Sequence, residues 1–527
     1  MASLATAKDG VRPARFRQLR EGTVPSGILV FVVPLLLAVA AIPLFVTRFP
    51  PLADYPGHLA ITYILENYNR VPPFQAAYIL DHGLYPNLAM DILVPSLATI
   101  FGIETSGLIF TFLIFVVTVC GALLVNKALY GRVSIGALFV FCILYNGIFA
   151  WGFMNYLFGL GMAMLAFGMY LLFQEHSPVS RIIVSSLLSV VVFICHLYAF
   201  AIYGILVIFY EIFKFAEMQS DRSVRKLLRN LSIAGAQAIL PVAIFLYFSP
   251  MSSAHVVSQI QFGNFKRKLE ALSFMFGNYN PGIDLICYVA IAVFIGFMLG
   301  RGRIMIARPM LAALVFLCGV FVIMPAVVFS SSSADRRLIV AIALVAVSSL
   351  NLSVRSWREL LAAAVTIGSV YLLQVGIAQH SWAAYEPRLR NYLSAFQKVK
   401  EGSNVAVAVD PNASWFPINV RGVPSLLVLQ RNAFPSQQFL WRGQNPVALS
   451  EKFERMAEAA PWNEIYERLL TIYEARNRKE LDELVKGSLA DFQYLLVIHE
   501  SPTTPSLADL GLDRIAYASD FDLYRLR

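Results

Sequence analysis

The chain has 527 residues, of which 58% are apolar and only 14% are charged, whereas soluble proteins carry about 25% charged residues. This deficit excludes an ordinary cytosolic enzyme, a disordered regulator and a secreted disulfide scaffold. The net charge of +9 is unevenly placed: residues 1–378 hold 25 Lys/Arg and 15 Asp/Glu, but residues 379–527 hold 17 and 18. The composition predicts a basic polytopic membrane domain followed by a soluble domain.

Apolar runs of roughly 20 residues, the length that spans a bilayer, define the predicted membrane domain. They lie at about 26–46, 106–128, 133–150, 154–174, 181–196, 197–213, 230–248, 283–300, 309–330, 337–353 and 359–378. We therefore expect a polytopic α-helical membrane protein with about eleven transmembrane helices over residues 26–378. The stretch 88–103 could be a twelfth span, but it has only 16 residues and contains Asp91 and Pro95. We interpret it as a helix that lies in the outer membrane interface or dips in from it.

The loops between these spans predict the orientation. With residues 1–25 as a cytoplasmic tail, 18 Lys/Arg fall inside and 7 fall outside, in agreement with the positive-inside rule. The long first outer loop, 47–105, and the C-terminal residues 379–527 are then periplasmic, and a bacterial inner (plasma) membrane is the simplest location. The basic charge follows from this topology and indicates no nucleic-acid partner.

Residues 379–527 are expected to form a small α/β domain. Strands are predicted at 404–410, 425–430 and 492–498, and helices over 448–487 with a break at Pro461. A hairpin is predicted at the C-terminal end of the chain. No catalytic constellation is visible in this segment.

Polar residues of the membrane domain gather at one depth, the outer ends of the spans. Ionisable groups in a membrane are costly and tend to mark function. A ring of such groups at the outer boundary is what a site acting on a lipid headgroup needs. The predicted cavity-lining residues are Asp81, His82, Asp91, Asn155, His196 and Asp284.

Asp54 and His58 follow the first span directly, in the segment Leu-Ala-Asp-Tyr-Pro-Gly-His. Asp54 can cap a helix that has Pro56 in its first turn. It can equally act as a fixed carboxylate that accepts a proton from a hydroxyl, and the two roles are compatible. His58, one turn later, either hydrogen-bonds locally or pairs with Asp54 or a phosphate. We predict both as catalytic residues.

Arg336 and Arg337 lie at an outer loop end, against the positive-inside trend. One interpretation is that they are snorkelling side chains at the end of a span. The other is that they bind a lipid-linked phosphate, because the planar guanidinium is permanently charged and matches phosphate geometry. No Walker A loop, HExxH motif or cysteine pair with metal-ligand spacing is present, so no metal site is predicted.

This layout resembles the GT-C superfamily of integral membrane glycosyltransferases. The resemblance rests on a first span, an outer loop that opens with Asp54, a proline-containing interfacial helix over Tyr85–Gly102, and a next span ending at Lys127 and Arg132. It implies a polyprenyl-phosphate-linked sugar as donor, a lipid or glycan as acceptor and membrane lipids as surroundings. It also implies Asp54 as the base and Arg336 and Arg337 as the donor-phosphate site.

The resemblance implies an inverting transfer and leaves two further functions to be compared with it. Metal-dependent members carry a DxD or ExD pair in outer loops, and none follows Asp54. A metal-independent reaction without a cofactor is therefore favoured, with a divalent metal left open.

A transporter or flippase of lipid-linked saccharide would instead line a path through the membrane with polar groups. A non-catalytic sensor or assembly protein would fill the cavity above Asp54 with side chains.

Overall fold

The computed structural model describes residues 22–217, 223–249, 260–277, 279–328, 331–411, 420–440, 444–499 and 506–526. Residues 1–21, most of the predicted cytoplasmic tail, lie outside the described residues. The apolar part is a bundle whose main helices are Ser26–Ala41, Tyr55–Asn67, Pro72–Ala77, Ala89–Phe101, Ile103–Tyr130, Met154–Leu172, Pro178–Cys195, Leu197–Glu217, Val224–Ala236, Ile239–Phe248, Phe265–Leu272, Pro281–Gly300, Arg308–Ile323, Ala334–Ser348 and Trp357–Phe396.

The protein is a multi-pass membrane protein, but the predicted number of spans is not confirmed. Across the described ranges, seven helices are long and apolar enough to cross a membrane, or eight if 227–236 and 239–248, bent by 43°, form one span. Three of the predicted eleven fall on shorter elements: the 3₁₀ segment Ile135–Ile143 and the helices Arg308–Ile323 and Ala334–Ser348. The two helices have 16 and 15 residues, which is about 24 Å or less at 1.5 Å per residue.

The interfacial stretch forms a helix of its own, Ala89–Phe101. Its 13 residues reach about 20 Å, well short of a hydrocarbon core of roughly 30 Å. It ends at Gly102, which has φ +73° and directly precedes the 28-residue helix Ile103–Tyr130. The length accords with a helix that does not cross the membrane.

The C-terminal region contains a five-stranded sheet, as predicted for an α/β domain. Its order is Asp513–Tyr517, Phe521–Arg525, Tyr494–Ile498, Asn404–Val409 and Phe434–Pro435. The last three strands are parallel, and the C-terminal hairpin is antiparallel. The helices Glu451–Ala459, Trp462–Glu474 and Arg478–Lys486 occupy the predicted helical stretch, with the break at Pro461.

One predicted strand in this domain is wrong. Residues 425–430 do not join the sheet, since Val423–Ser425 is a 3₁₀ turn and Leu426–Arg431 is a helix. A short apolar run has the same composition in a buried strand and in a buried helix. The run therefore indicated burial correctly but not the type of element.

The sheet domain packs on one end of the helix bundle. We call this end, where Tyr78–Leu80 of the first long loop lies, the domain end. The helix Trp357–Phe396 runs without a break through residue 378 and connects the two parts. The strand Tyr78–Leu80, from the first long loop, pairs antiparallel with Val447–Leu449 of the C-terminal part. The two parts of the chain therefore share backbone hydrogen bonds above the bundle.

Candidate functional site

A cavity of about 500 Å³ lies at the domain end, between the helix bundle and the C-terminal domain. Its walls are formed by Asp54, His58, Pro86, Asn87, Phe153, Asn155, Tyr156, His196, Leu197, Tyr198, Gln261, Val327, Val328, Ser331, Ser332, Arg337, Phe439 and Gln444. Five residues singled out from the sequence thus meet at one cavity, although they come from distant parts of the chain: Asp54, His58, Asn155, His196 and Arg337.

The backbone of Asp54 is held by the loop that precedes the helix Met154–Leu172. The Asp54 amide donates to the carbonyl of Trp151 at 3.1 Å. Gly152 has φ +78°, and a Cβ at this position would lie 2.7 Å from the Asp54 nitrogen. Both the positive φ, which glycine adopts readily, and the close approach require a glycine here. Gly152 therefore allows the loop to position Asp54.

The carboxylate of Asp54 does not cap the following helix, contrary to the predicted capping role. Asp54 precedes Tyr55–Asn67, but its side chain makes no capping hydrogen bond to the described residues. Its backbone is helical, with φ −93° and ψ −9°, whereas a capping side chain needs the extended conformation. The carboxylate is therefore available to the cavity, to which it remains partly open.

The environment of Asp54 favours its protonated form more than water does. Burial raises the pKa of the carboxyl from 3.8 to about 7, although the positive charges of Arg337 and Arg421 oppose this shift. Removal from bulk water disfavours the charged form of a carboxyl group. Near pH 7, Asp54 therefore exists in both protonation states.

His58 lies on the same wall as a buried, neutral imidazole. Its side chain is buried, and its Nδ1 has no hydrogen-bond partner within the described ranges. Burial lowers the pKa of His58 to about 4, so that the ring carries no charge at pH 7. Its ring lies 4.9 Å from that of Phe439. The predicted side-chain pair with Asp54 is not formed, because the hydrogen bond joining the two residues runs between backbone atoms.

Arg337 is the positively charged residue among the described residues that line the cavity. Its side chain is buried, and its guanidinium lies 4.3 Å from the ring of Phe153 and 5.2 Å from that of Tyr198. Its Nε has no hydrogen-bond partner in the part of the chain that the structure describes. None of the ion pairs formed by the described residues involves Arg337. A permanent positive charge thus lines the cavity without an ion-pair partner among the described residues.

His196 and Asn155 complete the polar lining of the cavity. His196 separates the helices Pro178–Cys195 and Leu197–Glu217; its Nδ1 accepts from the Tyr198 amide at 3.1 Å. Its Nε2 lies 3.5 Å from Nη1 of Arg337. Asn155 accepts a hydrogen bond from the Met90 amide at 2.7 Å and donates to the Asn87 carbonyl at 2.6 Å. It therefore fixes the start of the interfacial helix against the bundle.

Arg336 does not line the cavity with Arg337. Its guanidinium lies over the ring of Phe274 at 4.5 Å, and its Nη2 is 3.9 Å from a carboxylate oxygen of Glu270. Consecutive residues of a helix point about 100° apart, so both arginines cannot face one cavity from the helix Ala334–Ser348. The predicted pair is divided: Arg337 faces the cavity, and Arg336 packs on the neighbouring segment.

Four other predicted residues also lie outside the cavity lining. Asp81 accepts a hydrogen bond from the Gly83 amide at 2.9 Å, and His82 is exposed. Asp91 is buried in the first turn of the interfacial helix. Asp284 accepts a hydrogen bond from Gln374 at 2.9 Å within the bundle. Asp81 and Asp284 therefore have local hydrogen-bond partners and His82 contacts solvent, and none of the four lines the cavity with Asp54.

The C-terminal domain contributes site residues that the sequence did not indicate. Phe439 and Gln444 line the cavity, and the charge of Arg421 acts on Asp54. The guanidinium of Arg421 is stacked 3.9 Å from the ring centre of Trp462. No local motif marks these residues, since their approach to Asp54 depends on how the domain packs on the bundle.

The described residues form no metal-binding cluster at the cavity. Within the described ranges, no group of three or more His, Cys, Asp or Glu side chains is arranged to hold a metal ion. Among the described residues that line the cavity, Asp54 is the one carboxylate.

Comparison with known proteins gives matches at the level of structure. No protein-family model matches the chain, and no curated protein matches it in sequence. The crystal structure of ArnT from Cupriavidus metallidurans bound to undecaprenyl phosphate superposes with a TM-score of 0.58 at 12% identity, covering 96% of this chain and 99% of that one. The apo state of the same protein gives 0.55 at 13% identity, with 95% and 98% covered.

A third solved structure, the apo oligosaccharyltransferase of Archaeoglobus fulgidus, has a TM-score of 0.47 at 12% identity and covers 89% of this chain and 70% of that one. The two ArnT structures match nearly the full length of both chains, so the likeness includes the C-terminal domain as well as the bundle. The chain therefore has the fold of the two ArnT structures, and the architecture that the GT-C resemblance implied is confirmed at the level of the fold, without indicating a specific member.

Proposed function

We propose that the protein is an inverting glycosyltransferase that moves a sugar from a polyprenyl-phosphate donor to a hydroxyl of a lipid or glycan acceptor. The observation that carries the proposal is the meeting, at one cavity, of Asp54 and the buried Arg337, which forms no ion pair with the described residues. The fold supports it, because ArnT, a neighbour over nearly the full length, binds undecaprenyl phosphate in its crystal structure. The cavity, at about 500 Å³, falls within the usual range for small-molecule sites.

Asp54 acts as the general base in this reaction. A base is most effective when its pKa lies near the working pH, and the pKa of Asp54 is about 7. Its carboxylate accepts the proton of the acceptor hydroxyl while the hydroxyl oxygen forms a bond to the anomeric carbon. The bond between that carbon and the phosphate oxygen breaks, and the electron pair leaves with polyprenyl phosphate.

Arg337 balances the charge that develops on the leaving phosphate. Phosphate is a good leaving group, so charge stabilisation suffices and no proton has to reach its oxygen. The guanidinium is already desolvated by Phe153 and Tyr198, and it therefore loses little further hydration when an anion binds. Single-step displacement at the anomeric carbon inverts its configuration.

We also propose that the reaction needs no divalent metal, because the fixed charge of Arg337 supplies the stabilisation that a metal would otherwise provide at the phosphate. The transfer assay described below, run with excess EDTA, tests this point. Loss of transfer in EDTA that is restored by Mg²⁺ or Mn²⁺ would contradict it.

The proposed site lies on the periplasmic side of a bacterial inner membrane, with the N-terminus in the cytoplasm. This orientation follows from the distribution of Lys and Arg over the loops. Alkaline phosphatase fused after Arg527 should then be active, because the enzyme folds only outside the cytoplasm. An inactive fusion that is stably expressed would reverse the proposed orientation.

The decisive experiment is transfer by Asp54→Asn in the full-length protein. The purified protein, reconstituted in lipid nanodiscs, is incubated with a panel of undecaprenyl-phosphate-linked sugars and an inner-membrane lipid extract as acceptor, and released undecaprenyl phosphate is measured. Removing a general base lowers the rate roughly 10²- to 10⁴-fold. The matched control is Asp81→Asn, in the same loop but outside the cavity. Near-normal transfer by Asp54→Asn, or equal loss in both variants, would contradict the assignment.

A further inference from the structure

The imidazole of His196 has a defined tautomer. Its Nδ1 accepts a hydrogen bond from the backbone amide of Tyr198 at 3.1 Å, so Nδ1 carries a lone pair and no proton. A neutral imidazole bears one N–H group, which must then be at Nε2. A doubly protonated ring is disfavoured here, because the permanent charge of Arg337 lies 3.5 Å away and a like charge disfavours protonation. His196 therefore presents Nε2–H to Arg337.

This arrangement brings two hydrogen-bond donors together without an acceptor between them. Arg337 carries only donors on its guanidinium, so its Nη1 and Nε2–H of His196 cannot satisfy each other at 3.5 Å. Both side chains line the cavity. Independently, the buried Nε of Arg337 has no partner among the described residues. Buried donors are normally paired, so this wall is set up for an anionic oxygen.

We propose that His196 is a second, uncharged donor to the phosphate of the lipid substrate, acting beside Arg337. This inference rests on the proposed function and extends it to one more binding residue. One permanent charge and one neutral N–H match the single negative charge of a sugar-linked phosphodiester. When the bond from the sugar to the phosphate oxygen breaks, charge builds up on that phosphate, and the hydrogen bond from His196 strengthens without a proton being transferred.

The competing explanation is that His196 serves only the fold. Its Nδ1 holds the Tyr198 amide at the start of the helix Leu197–Glu217, which is a sufficient structural reason for a histidine. Two substitutions separate the roles. His196→Asn places its side-chain oxygen near the position of Nδ1, which keeps the acceptor and removes the donor. His196→Gln can place its amide N–H near the position of Nε2, which keeps the donor.

The test measures lipid binding, which does not require an identified acceptor. Full-length protein in detergent is titrated with undecaprenyl phosphate and, for comparison, with undecaprenol. We expect His196→Asn to weaken binding of undecaprenyl phosphate by roughly tenfold to a hundredfold, the effect of one hydrogen bond to a charged group, and to leave undecaprenol binding unchanged. His196→Gln should bind undecaprenyl phosphate within a few-fold of wild type. His82→Gln, on an exposed histidine, is the control.

Two results would overturn the inference, and they differ in what else they affect. If the wild type binds undecaprenyl phosphate and His196→Asn binds it equally well, His196 is not a phosphate donor, and the proposed function stands on Asp54 and Arg337. If the wild type binds undecaprenyl phosphate no better than undecaprenol, the proposed function fails together with this inference. His196 has a purely structural role if His196→Asn binds undecaprenyl phosphate as the wild type does while His196→Gln loses thermal stability.

Discussion

Two buried arginines, Arg181 and Arg337, have nearly the same exposure but opposite surroundings. Arg181 is 8% exposed and Arg337 is 9% exposed. Arg181 lies 3.2 Å from a carboxylate oxygen of Glu211 and 3.3 Å from the hydroxyl of Tyr170, whereas Arg337 has aromatic rings and His196 around it. Arg181 lies near the start of the helix Pro178–Cys195 and His196, beside Arg337, directly after its end, so the two sites are about 22 Å apart along the helix axis.

The difference between these arginines shows how a buried charge that serves the fold can be distinguished from one that serves ligand binding. A buried ion pair is satisfied within the protein, and removing one partner leaves an uncompensated charge. A buried cation without an ion-pair partner is costly to the fold and is explained if a ligand supplies the counter-charge. We therefore interpret Arg181 as structural and Arg337 as functional, and the following predictions test that division.

The largest contrast is expected between Arg337→Gln and Arg181→Gln. Arg337→Gln should abolish measurable undecaprenyl phosphate binding and lower transfer at least 10²-fold, with a change in stability within about 1 kcal/mol because no ion pair is broken. Arg181→Gln should lower stability by about 3–5 kcal/mol and leave phosphate binding intact. Thermal unfolding in detergent and lipid titration provide the two measurements.

The control for this contrast is the double variant Arg181→Gln/Glu211→Gln. Removing both charges should restore much of the stability lost in Arg181→Gln, because the double variant no longer contains a buried carboxylate without a partner. If Arg337→Gln proves as destabilising as Arg181→Gln, or if Arg181→Gln alone loses phosphate binding, the division between a structural and a functional arginine is wrong.

An intermediate effect is expected from Gly152→Ala compared with Gly131→Ala. Both glycines have positive φ, +78° and +72°, so alanine costs each about 1–2 kcal/mol. At Gly152 the new Cβ meets the backbone of Asp54 at 2.7 Å, whereas at Gly131 no atom of the described residues lies within 4 Å. Transfer should therefore fall about tenfold or more in Gly152→Ala and stay near wild type in Gly131→Ala. Equal transfer rates in the two variants would show that Asp54 does not depend on this contact.

The smallest effect concerns the pH dependence of transfer. Asp54 must be ionised to accept a proton, and its pKa is raised to about 7. The rate should therefore fall as pH decreases through 7, by about tenfold per pH unit further down. Initial rates of undecaprenyl phosphate release between pH 5 and 9 provide the measurement. A profile that is flat down to pH 5 would mean either that Asp54 has an ordinary carboxyl pKa or that it is not the base.

The sequence predicted the parts of the site that local patterns determine. Asp54 follows the first predicted span directly, and Arg337 lies at the end of an outer loop, contrary to the positive-inside trend. The predicted topology therefore places both residues at the same depth. Which way each side chain points depends on helix phase and packing. For this reason Arg336 and Arg337, adjacent in the chain, separate in the structure, and Asp81 and Asp284 find local partners instead of the cavity.

Other features could not be predicted because they depend on distant contacts. Phe439 reaches the cavity only through the packing of the C-terminal domain on the bundle. Likewise, Ile135–Ile143 is apolar enough for a transmembrane α-helix, but it adopts a 3₁₀ conformation. Leu426–Arg431 is apolar enough for a strand, but it forms a helix. In each case composition indicates burial, whereas tertiary contacts decide the conformation.

The continuous helix Trp357–Phe396 has a consequence for how the chain can change in length. At 40 residues it extends about 60 Å, twice the thickness of a hydrocarbon core. Inserting a single residue into its middle would turn everything beyond that point by 100° and advance it by 1.5 Å. Phe439 and Gln444, which lie beyond the helix, would then face away from Asp54. A loop could absorb such an insertion. In this continuous helix, each added residue would instead rotate the C-terminal domain relative to the bundle and displace its part of the cavity wall.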